Sequence, residues 1–381
     1  MALTIQNTLS PNAYSYNSAP PVSTDFKITV DTTKAGSASD TFVLPLQVGT
    51  TSMTVYWGDG NSDVITAYNQ AELTHVYASS GTYQISCDGS FAGIYFAAAG
   101  DKLKLASIDN WGTNTWSKTT HSFNGCSNMV GTYTDSLDAS LAGNFLGMFK
   151  GCTSFNSDLT IDTSLATSMQ AMFYGCTTFN GNVTFSDTSS VNRMLEMFWG
   201  CTNFNKPVSF DTSANTRFQS MFYNCTNFDQ AVNFDTSSAL FISSMFTLCT
   251  SFNQTINFDL TSINSSINYM FAGCSSLNSA VNLTNTSGVT NLQGVFQNCT
   301  VFNQDISAWN ISGVTVATIM LQGTAFSTTN YDLLLVAWQG QAHNSSVNFH
   351  AGTAQYSSGA PATARAALIT DSWTITDGGA V

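Results

Sequence analysis

Cysteines recur at a nearly constant spacing through the middle of this chain of 381 residues. Eight of them are 24 to 26 residues apart, at positions 126, 152, 176, 201, 225, 249, 274 and 299. A fixed period in this range is typical of stacked structural units, each too small to bury its own apolar face. The spacing therefore predicts a repeat array rather than a catalytic site.

The residues before each cysteine define the repeating unit. In one copy Met194, Met197 and Phe198 precede Cys201 with the spacing i, i+3, i+4 and i+7. This spacing places four apolar residues on one face of an α-helix. The preceding Asp187-Thr188-Ser189 supplies side-chain oxygens suited to capping a helix start. We therefore predict one helix per repeat, with its cysteine in the core.

A brief strand is expected after each cysteine. Thr202 to Asn205 form a turn sequence, and the alternation at Val208 and Phe210 is typical of a short strand. Stacked copies would then place a continuous sheet on one side and helices on the other. About nine coils at a strand spacing of ~4.8 Å predict an α/β solenoid on the order of 45 Å long.

The residue after the repeat phenylalanine is almost always asparagine. An amide donates and accepts at once, so a buried ladder of these side chains would satisfy turn backbone groups in every coil. A ligand-binding role is the alternative. The positions are Asn156, Asn180, Asn205, Asp229, Asn253, Asn278 and Asn303.

Composition narrows the classes of partner. Charged residues make up 9% of the chain and the net charge is −13, which argues against nucleic acid as a binding partner. No apolar run is long enough to span a membrane, and the first residues lack the pattern of a secretory signal. The repeat cysteines are expected to be buried free thiols, since no zinc-binding spacing accompanies them. Cys87 lies outside the array, and its redox state stays open.

Three further segments flank or cap the array. Residues 1–25 are polar and contain prolines, which indicates an extended arm, either a flexible tail or an anchor on a neighbouring subunit. Alternating patterns over residues 26–98 predict an antiparallel β-sandwich. The repeats occupy 99–326, and residues 327–381 are expected to form a cap, with a helix over Tyr331 to Trp338.

The segment 26–98 also resembles a known domain family. Tyr56 to Gly60, then His75 to Tyr77, then Gly81 to Ile85 follow the order and spacing of the polycystic-kidney-disease (PKD) type immunoglobulin-like domain. The resemblance implies a spacer or adhesion module in which these residues are structural. Asp59 as a metal ligand is the weaker alternative.

The repeats resemble the BspA-like leucine-rich repeat family of bacterial surface proteins. The shared unit reads Met-Phe-x-x-Cys, then x-x-Phe-Asn, with a following Asp-Thr-Ser. The resemblance covers more than half of the chain. It implies adhesion on bacterial surfaces, or a fibre or decoration role in virions of bacterial viruses.

Catalytic chemistry has little support in the sequence. The four histidines, His75, His121, His343 and His350, lie in separate segments, and His121 near Cys126 is the one pair that merits a check. We therefore expect no catalytic, cofactor or metal residues. The predicted function is a non-enzymatic bacteriophage virion component, a capsid decoration protein, head fibre or tail fibre, that contacts host proteins or glycans.

Attachment is expected through the arm and the sandwich, to other virion subunits or within a homo-oligomer. The absence of an export signal favours the virion component. The alternative is a bacterial cell-surface or filament adhesin exported by an unrecognised route.

Overall fold

The chain forms a β-solenoid of about 11 turns with few helices. A computed structural model describes residues 24–381. The arm predicted over residues 1–25 lies, apart from Thr24 and Asp25, outside the described residues. Antiparallel strands precede the solenoid, and two α-helices lie near its C-terminal end.

Two sheets include the strands before the repeats and the first strands of the solenoid. The strands are β1 (Phe26–Asp31), β2 (Thr41–Val43), β3 (Thr51–Tyr56), β4 (Ser62–Ile65), β5 (Thr74–Val76), β6 (Thr82–Phe91), β7 (Leu105–Asn110) and β8 (Val130–Gly131). A six-stranded sheet has the order β4-β3-β6-β1-β7-β8, and β2 pairs with β5 separately. Pairing among β1, β3, β4 and β6 is antiparallel, as the alternating sequence predicts, but the predicted β-sandwich is not confirmed.

The first sheet continues directly into the solenoid. Strand β1 pairs antiparallel with β7, and β7 pairs in parallel with β8. The rings of Phe26, Trp111 and Trp116 meet across this junction at centroid distances of 5.4 to 6.3 Å. Residues 26–98 and the repeats therefore share one hydrophobic core, and no free linker separates them.

A buried ion pair ties the junction to the loop before β2. Lys104 and Asp101 are almost fully buried, and their charged atoms lie 3.7 Å apart. The Lys104 ammonium donates to the carbonyl oxygens of Ser37, Ala38 and Thr41. The Asp101 carboxylate accepts from the backbone N–H groups of Ser37 and Val43. Both charges thus have partners, which a buried ion requires.

The prediction of one helix per repeat is wrong. The segments around the repeat cysteines are successive turns, and both α-helices lie beyond residue 326. The four predicted apolar residues of each copy are nevertheless all buried, as in Met194, Met197, Phe198 and Cys201. The spacing identified the buried residues but not the backbone conformation.

Hydrogen bonding between coils explains the difference. In an α-helix each N–H bonds to the carbonyl four residues earlier. Here alternate N–H groups point along the solenoid axis and bond to the following coil, while those between them close turns, as Met197 does on Met194. The axial donors Met194, Glu196, Phe198 and Gly200 reach the carbonyls of Arg217, Gln219, Met221 and Tyr223 at 2.7 to 3.1 Å.

Left-handed residues recur in the same segment and exclude a right-handed helix. One is the residue before the repeat methionine, with φ between 53° and 57° at Ala171, Glu196, Ser220, Ser244 and Tyr269. The other precedes the cysteine and is often glycine, as at Gly151, Gly175 and Gly200. Each of these repeat segments therefore contains two interruptions of a right-handed helical path.

The core consists of two ladders of stacked phenylalanines. One runs from Phe123 to Phe296 with centroid distances of 5.4 to 5.6 Å between successive coils. The second runs from Phe155 to Phe252 at 5.7 to 6.1 Å. These spacings slightly exceed the ~4.8 Å between paired strands. Stacked rings therefore join neighbouring coils along most of the array.

Strands are shorter and fewer than the sequence predicts. Parallel pairs form between β9 (Leu159–Ile161) and β10 (Val183–Phe185), and between β11 (Ile256–Asp259) and β12 (Val281–Thr284). The equivalent segment around Val208 and Phe210 is not a strand. The continuous sheet that we predicted is thus interrupted in the middle of the solenoid.

The C-terminal segment continues the solenoid rather than only capping it. Strand β13 (Val316–Ala317) pairs in parallel with β14 (Asn348–His350), which pairs in parallel with β15 (Thr374–Thr376). Helix α1 (Thr328–Gln339) connects the first two and confirms the predicted helix, and α2 (Ala360–Thr370) connects the last two. These coils add to the predicted nine, because helices replace the repeat motif that we counted.

The asparagine ladder is present but is not buried. The side-chain oxygen of each residue accepts the backbone N–H of its equivalent on the next coil, from Asn156 on to Asn303, at 2.6 to 2.9 Å. The ladder ends at Ser327, whose backbone N–H donates to the side-chain oxygen of Asn303. The residues are partly or fully exposed. The ladder therefore links coils along a solvated edge.

The cysteines form another ladder. All nine are free and buried. Each repeat thiol from Cys152 to Cys299 donates to the carbonyl of the phenylalanine one coil earlier, at 2.9 to 3.0 Å. Burial raises the pKa of Cys176 and of Cys299 to about 12. The thiols are thus neutral hydrophobic groups at physiological pH.

We expect the native protein to resist thiol reagents. Reactivity requires exposure and an accessible thiolate, and the array offers neither. A chromogenic disulfide reagent should label almost no cysteine in the folded chain and all nine after denaturation. Fast labelling of several cysteines in the native protein would contradict the packing of the coils.

Acid should destabilise the solenoid through its aspartates. A hydrogen bond from Ser164 lowers the pKa of Asp162, and one from Ser213 lowers that of Asp211. A carboxyl group with a lowered native pKa stabilises the fold above its unfolded pKa, about 3.9, and this contribution is lost as pH falls through the native value. The melting temperature should therefore stay level from pH 7 to about 5 and fall below about pH 4.

Asparagine variants provide the control for this prediction. The double variant Asp162→Asn and Asp211→Asn keeps an acceptor for each turn N–H but cannot titrate. Its melting temperature should depend less on acid than that of the parent. An equal or steeper acid response would show that other groups control the transition.

Candidate binding surface

The histidines and Asp59 form no catalytic arrangement. The Nε2–H of His75 donates to the Asp59 carboxylate at 2.9 Å, and the His75 ring stacks on Trp57 at 4.7 Å, so these contacts stabilise the turn after β3. His121 lies against Gly147 of the next coil and beside Asn124, while Cys126 is fully buried. The pair of His121 and Cys126 therefore offers no activated nucleophile.

Neither a metal cluster nor a membrane-spanning helix occurs among the described residues. Within residues 24–381 no group of three His, Cys, Asp or Glu side chains is arranged to hold a metal ion. Across the same range, no helix combines the length and apolar character needed to cross a membrane.

An aromatic column lies on one face of the solenoid. We use this name for Tyr174, Trp199 and Tyr223, each of which follows the phenylalanine three residues before the repeat cysteine on consecutive coils. Tyr174 stacks on Trp199 at 4.3 Å and Trp199 on Tyr223 at 5.5 Å, with the planes within 9° of parallel. Lys150, one coil earlier, places its ammonium 4.3 Å from the Tyr174 ring centre. The side chains are partly exposed although the backbone beneath them is fixed.

A groove begins where the aromatic column ends. The next residues at the same repeat position are Thr247 and Ala272, which are much smaller than the rings before them. Together with Tyr223 and Tyr269 they line a cavity of about 300 Å³, which we call the column groove. Its polar groups are hydroxyls and amides, and none of its lining residues is charged. This chemistry suits a neutral, partly apolar ligand.

A second cavity, of about 530 Å³, lies between the two helices. Leu333 and Val336 of α1 and Pro361 of α2 contribute apolar side chains, and Asp332 adds a carboxylate. Asp332 is already engaged, because it accepts the backbone N–H of Ser357. This cavity has fewer free polar groups than the column groove.

The aromatic column was not predicted from the sequence. Its signal was the position two residues before the repeat cysteine, where three successive repeats carry Tyr174, Trp199 and Tyr223. With a helix assumed, residues one period apart were not expected to touch face to face. Direct stacking of coils at about 5 Å brings them into contact.

Comparison with known proteins supports the repeat assignment. A sequence model of the family described as "Mycoplasma protein of unknown function, DUF285" matches residues 91–186, 167–265 and 255–357. Neither the curated proteins nor the solved structures contain a significant match. The PKD-type domain expected over residues 26–98 is not supported by these comparisons. Because the three tandem matches cover well over half of the chain, this protein belongs to the DUF285 family of BspA-like repeats.

Proposed function

We propose that this chain is a non-enzymatic structural and adhesion protein that displays a rigid repeat surface for contact with surface glycans. The observation that carries the proposal is the aromatic column, held partly exposed by a backbone that is hydrogen-bonded from coil to coil. Rigid aromatic side chains bind at a low cost in conformational entropy. A surface of this kind needs no closing motion to recognise a ligand.

The display surface would belong to a bacteriophage virion, as a decoration protein, head fibre or tail fibre. Residues 1–25 and the N-terminal sheets would attach the chain to other subunits, and the solenoid would extend away from them. The shared core at the junction supports this arrangement, since a rod fused to its base keeps its direction.

A bacterial surface or filament adhesin is the second candidate. The family's description refers to Mycoplasma, a cellular organism, which favours this alternative. The display role is the same in both cases, and only the attachment differs.

Fractionation of the source culture separates the two. Gradient-purified particles that contain nuclease-protected DNA should carry the chain at constant stoichiometry if it is a virion component. Recovery with cell envelopes or DNA-free filaments would overturn the virion assignment in favour of the adhesin. A chain free in the cell interior, with no binding to surface glycans, would contradict the display role itself.

A further inference from the structure

The free face of Tyr223 is the starting point. Trp199 covers one face of this ring, while the residue that follows in the column, Thr247, is too short to cover the other. No hydrogen bond within the described chain involves the phenol hydroxyl of Tyr223 or of Tyr269. An aromatic ring therefore borders the column groove with an uncovered face, and two phenol groups beside it are free to bond with a ligand.

The groove has the length of about two missing rings. Thr247 and Ala272 stand where earlier coils carry aromatic side chains, and Gln297 follows as the next long side chain. Three coil steps separate Tyr223 from Gln297, or roughly 14 Å at strand spacing. One or two pyranose rings fit in this interval, with the first ring against Tyr223.

The side walls are built from bulky residues in strained positions. Leu248 and Tyr269 have φ values of 62° and 55°, a region that L-residues with large side chains seldom occupy. The Leu248 side chain lies over Gly273, and the Tyr269 ring lies over Gly294. A Cβ added to these two glycines would be only 2.8 Å from the Leu248 side chain and 2.5 Å from the Tyr269 ring. Other coils carry mostly glycine or small residues at these positions. Strain of this kind is commonly retained where a site needs it.

The charges favour a neutral ligand. The groove contains no lysine or arginine to bind phosphate, sulfate or carboxylate, and the chain carries a net charge of −13. Nucleotides and acidic glycans would lack a counter-charge there. Ser244, Gln297 and Asn298 offer hydroxyl and amide groups, which match the hydroxyls of a neutral sugar, whereas the buried Thr247 hydroxyl donates to the carbonyl of Tyr269.

We propose that the column groove binds one or two rings of a neutral glycan, with the first ring stacked on the free face of Tyr223. This inference rests on the proposed display function and assigns its recognition site. The aromatic column then acts as the support that holds Tyr223 in place, because each ring is stacked against the one before it.

The test uses the full chain and neutral oligosaccharides. An array of hexose and N-acetylhexosamine di- to tetrasaccharides, with sialylated and sulfated counterparts, would identify the best neutral ligand, and calorimetry would measure its affinity. Tyr223→Ala should weaken binding at least about 10-fold, whereas Tyr223→Phe should retain it within about threefold. Thr247→Trp, which adds the ring that Trp199 carries in the same column, should fill the groove and abolish binding.

Tyr68→Ala is the matched control, since Tyr68 is an exposed tyrosine that lies before the repeats and belongs to neither the column nor the groove. Its affinity should stay close to that of the parent, and melting curves would show that each variant is folded. Glycan binding that survives both Tyr223→Ala and Thr247→Trp would overturn the groove assignment and leave the display function standing. Binding of acidic glycans alone would also overturn the assignment, and no glycan binding at all would overturn both proposals.

Discussion

Replacing Cys201 with aspartate should unfold the middle of the solenoid. Cys201 is fully buried, and its thiol donates to the carbonyl of Phe173 on the preceding coil. An ionised carboxylate there would have no cationic partner and would face that carbonyl oxygen. The expected loss is on the order of 5 kcal/mol in the free energy of unfolding, measured by urea denaturation.

The control places the same charge on the surface two residues later. Asn203→Asp is isosteric, and Asn203 is exposed, so this variant should change stability by less than about 1 kcal/mol. Hydrogen exchange should show lost protection on the coils next to Cys201 only in the Cys201→Asp variant. Equal denaturation midpoints for the two variants would mean that Cys201 does not face the core.

Asp101→Ala should separate the loop before β2 from the start of the solenoid. The substitution leaves the buried Lys104 ammonium without its carboxylate and removes the acceptor of the Ser37 and Val43 N–H groups. Breaking a buried ion pair by removing one partner typically costs about 3–5 kcal/mol. Urea denaturation should show this loss, and hydrogen exchange should accelerate over residues 36–43.

An exposed ion pair nearby provides the comparison. Lys34 is half exposed and lies 3.2 Å from Asp31, so Lys34→Ala should cost less than about 1 kcal/mol. If Asp101→Ala is no more harmful than Lys34→Ala, the junction is not held by the buried pair. The shared aromatic packing of Phe26 with Trp111 and Trp116 would then hold the junction instead.

Periodicity predicted the core of this protein better than its backbone. The i, i+3, i+4, i+7 pattern correctly identified Met197, Phe198 and Cys201 as buried, but a series of turns buries the same set. The repeated glycines were the sequence signal that indicated the true backbone conformation. Gly151, Gly175 and Gly200 recur one residue before the cysteine, and a glycine repeated at that position favours a left-handed backbone over a helix interior.

The candidate site depended on that backbone. If each repeat formed a helix, the side chains two residues before successive cysteines would not stack. The helix prediction therefore gave no reason to expect the stack from Tyr174 to Tyr223. The groove is less predictable still, because it arises where Thr247 and Ala272 interrupt a column. The asparagine ladder could be predicted from the repeated position alone. Its hydrogen bonding to the backbone was predicted, although its exposure to solvent was not.

Electron cryomicroscopy of the native assembly that contains this chain would show which surface of the solenoid is free. We expect a solenoid joined to its neighbours at the N-terminal sheets, with the aromatic column and its groove facing solvent on the outside of a virion. A column buried against another subunit would contradict the display function, because Tyr174, Trp199 and Tyr223 would then be an assembly contact.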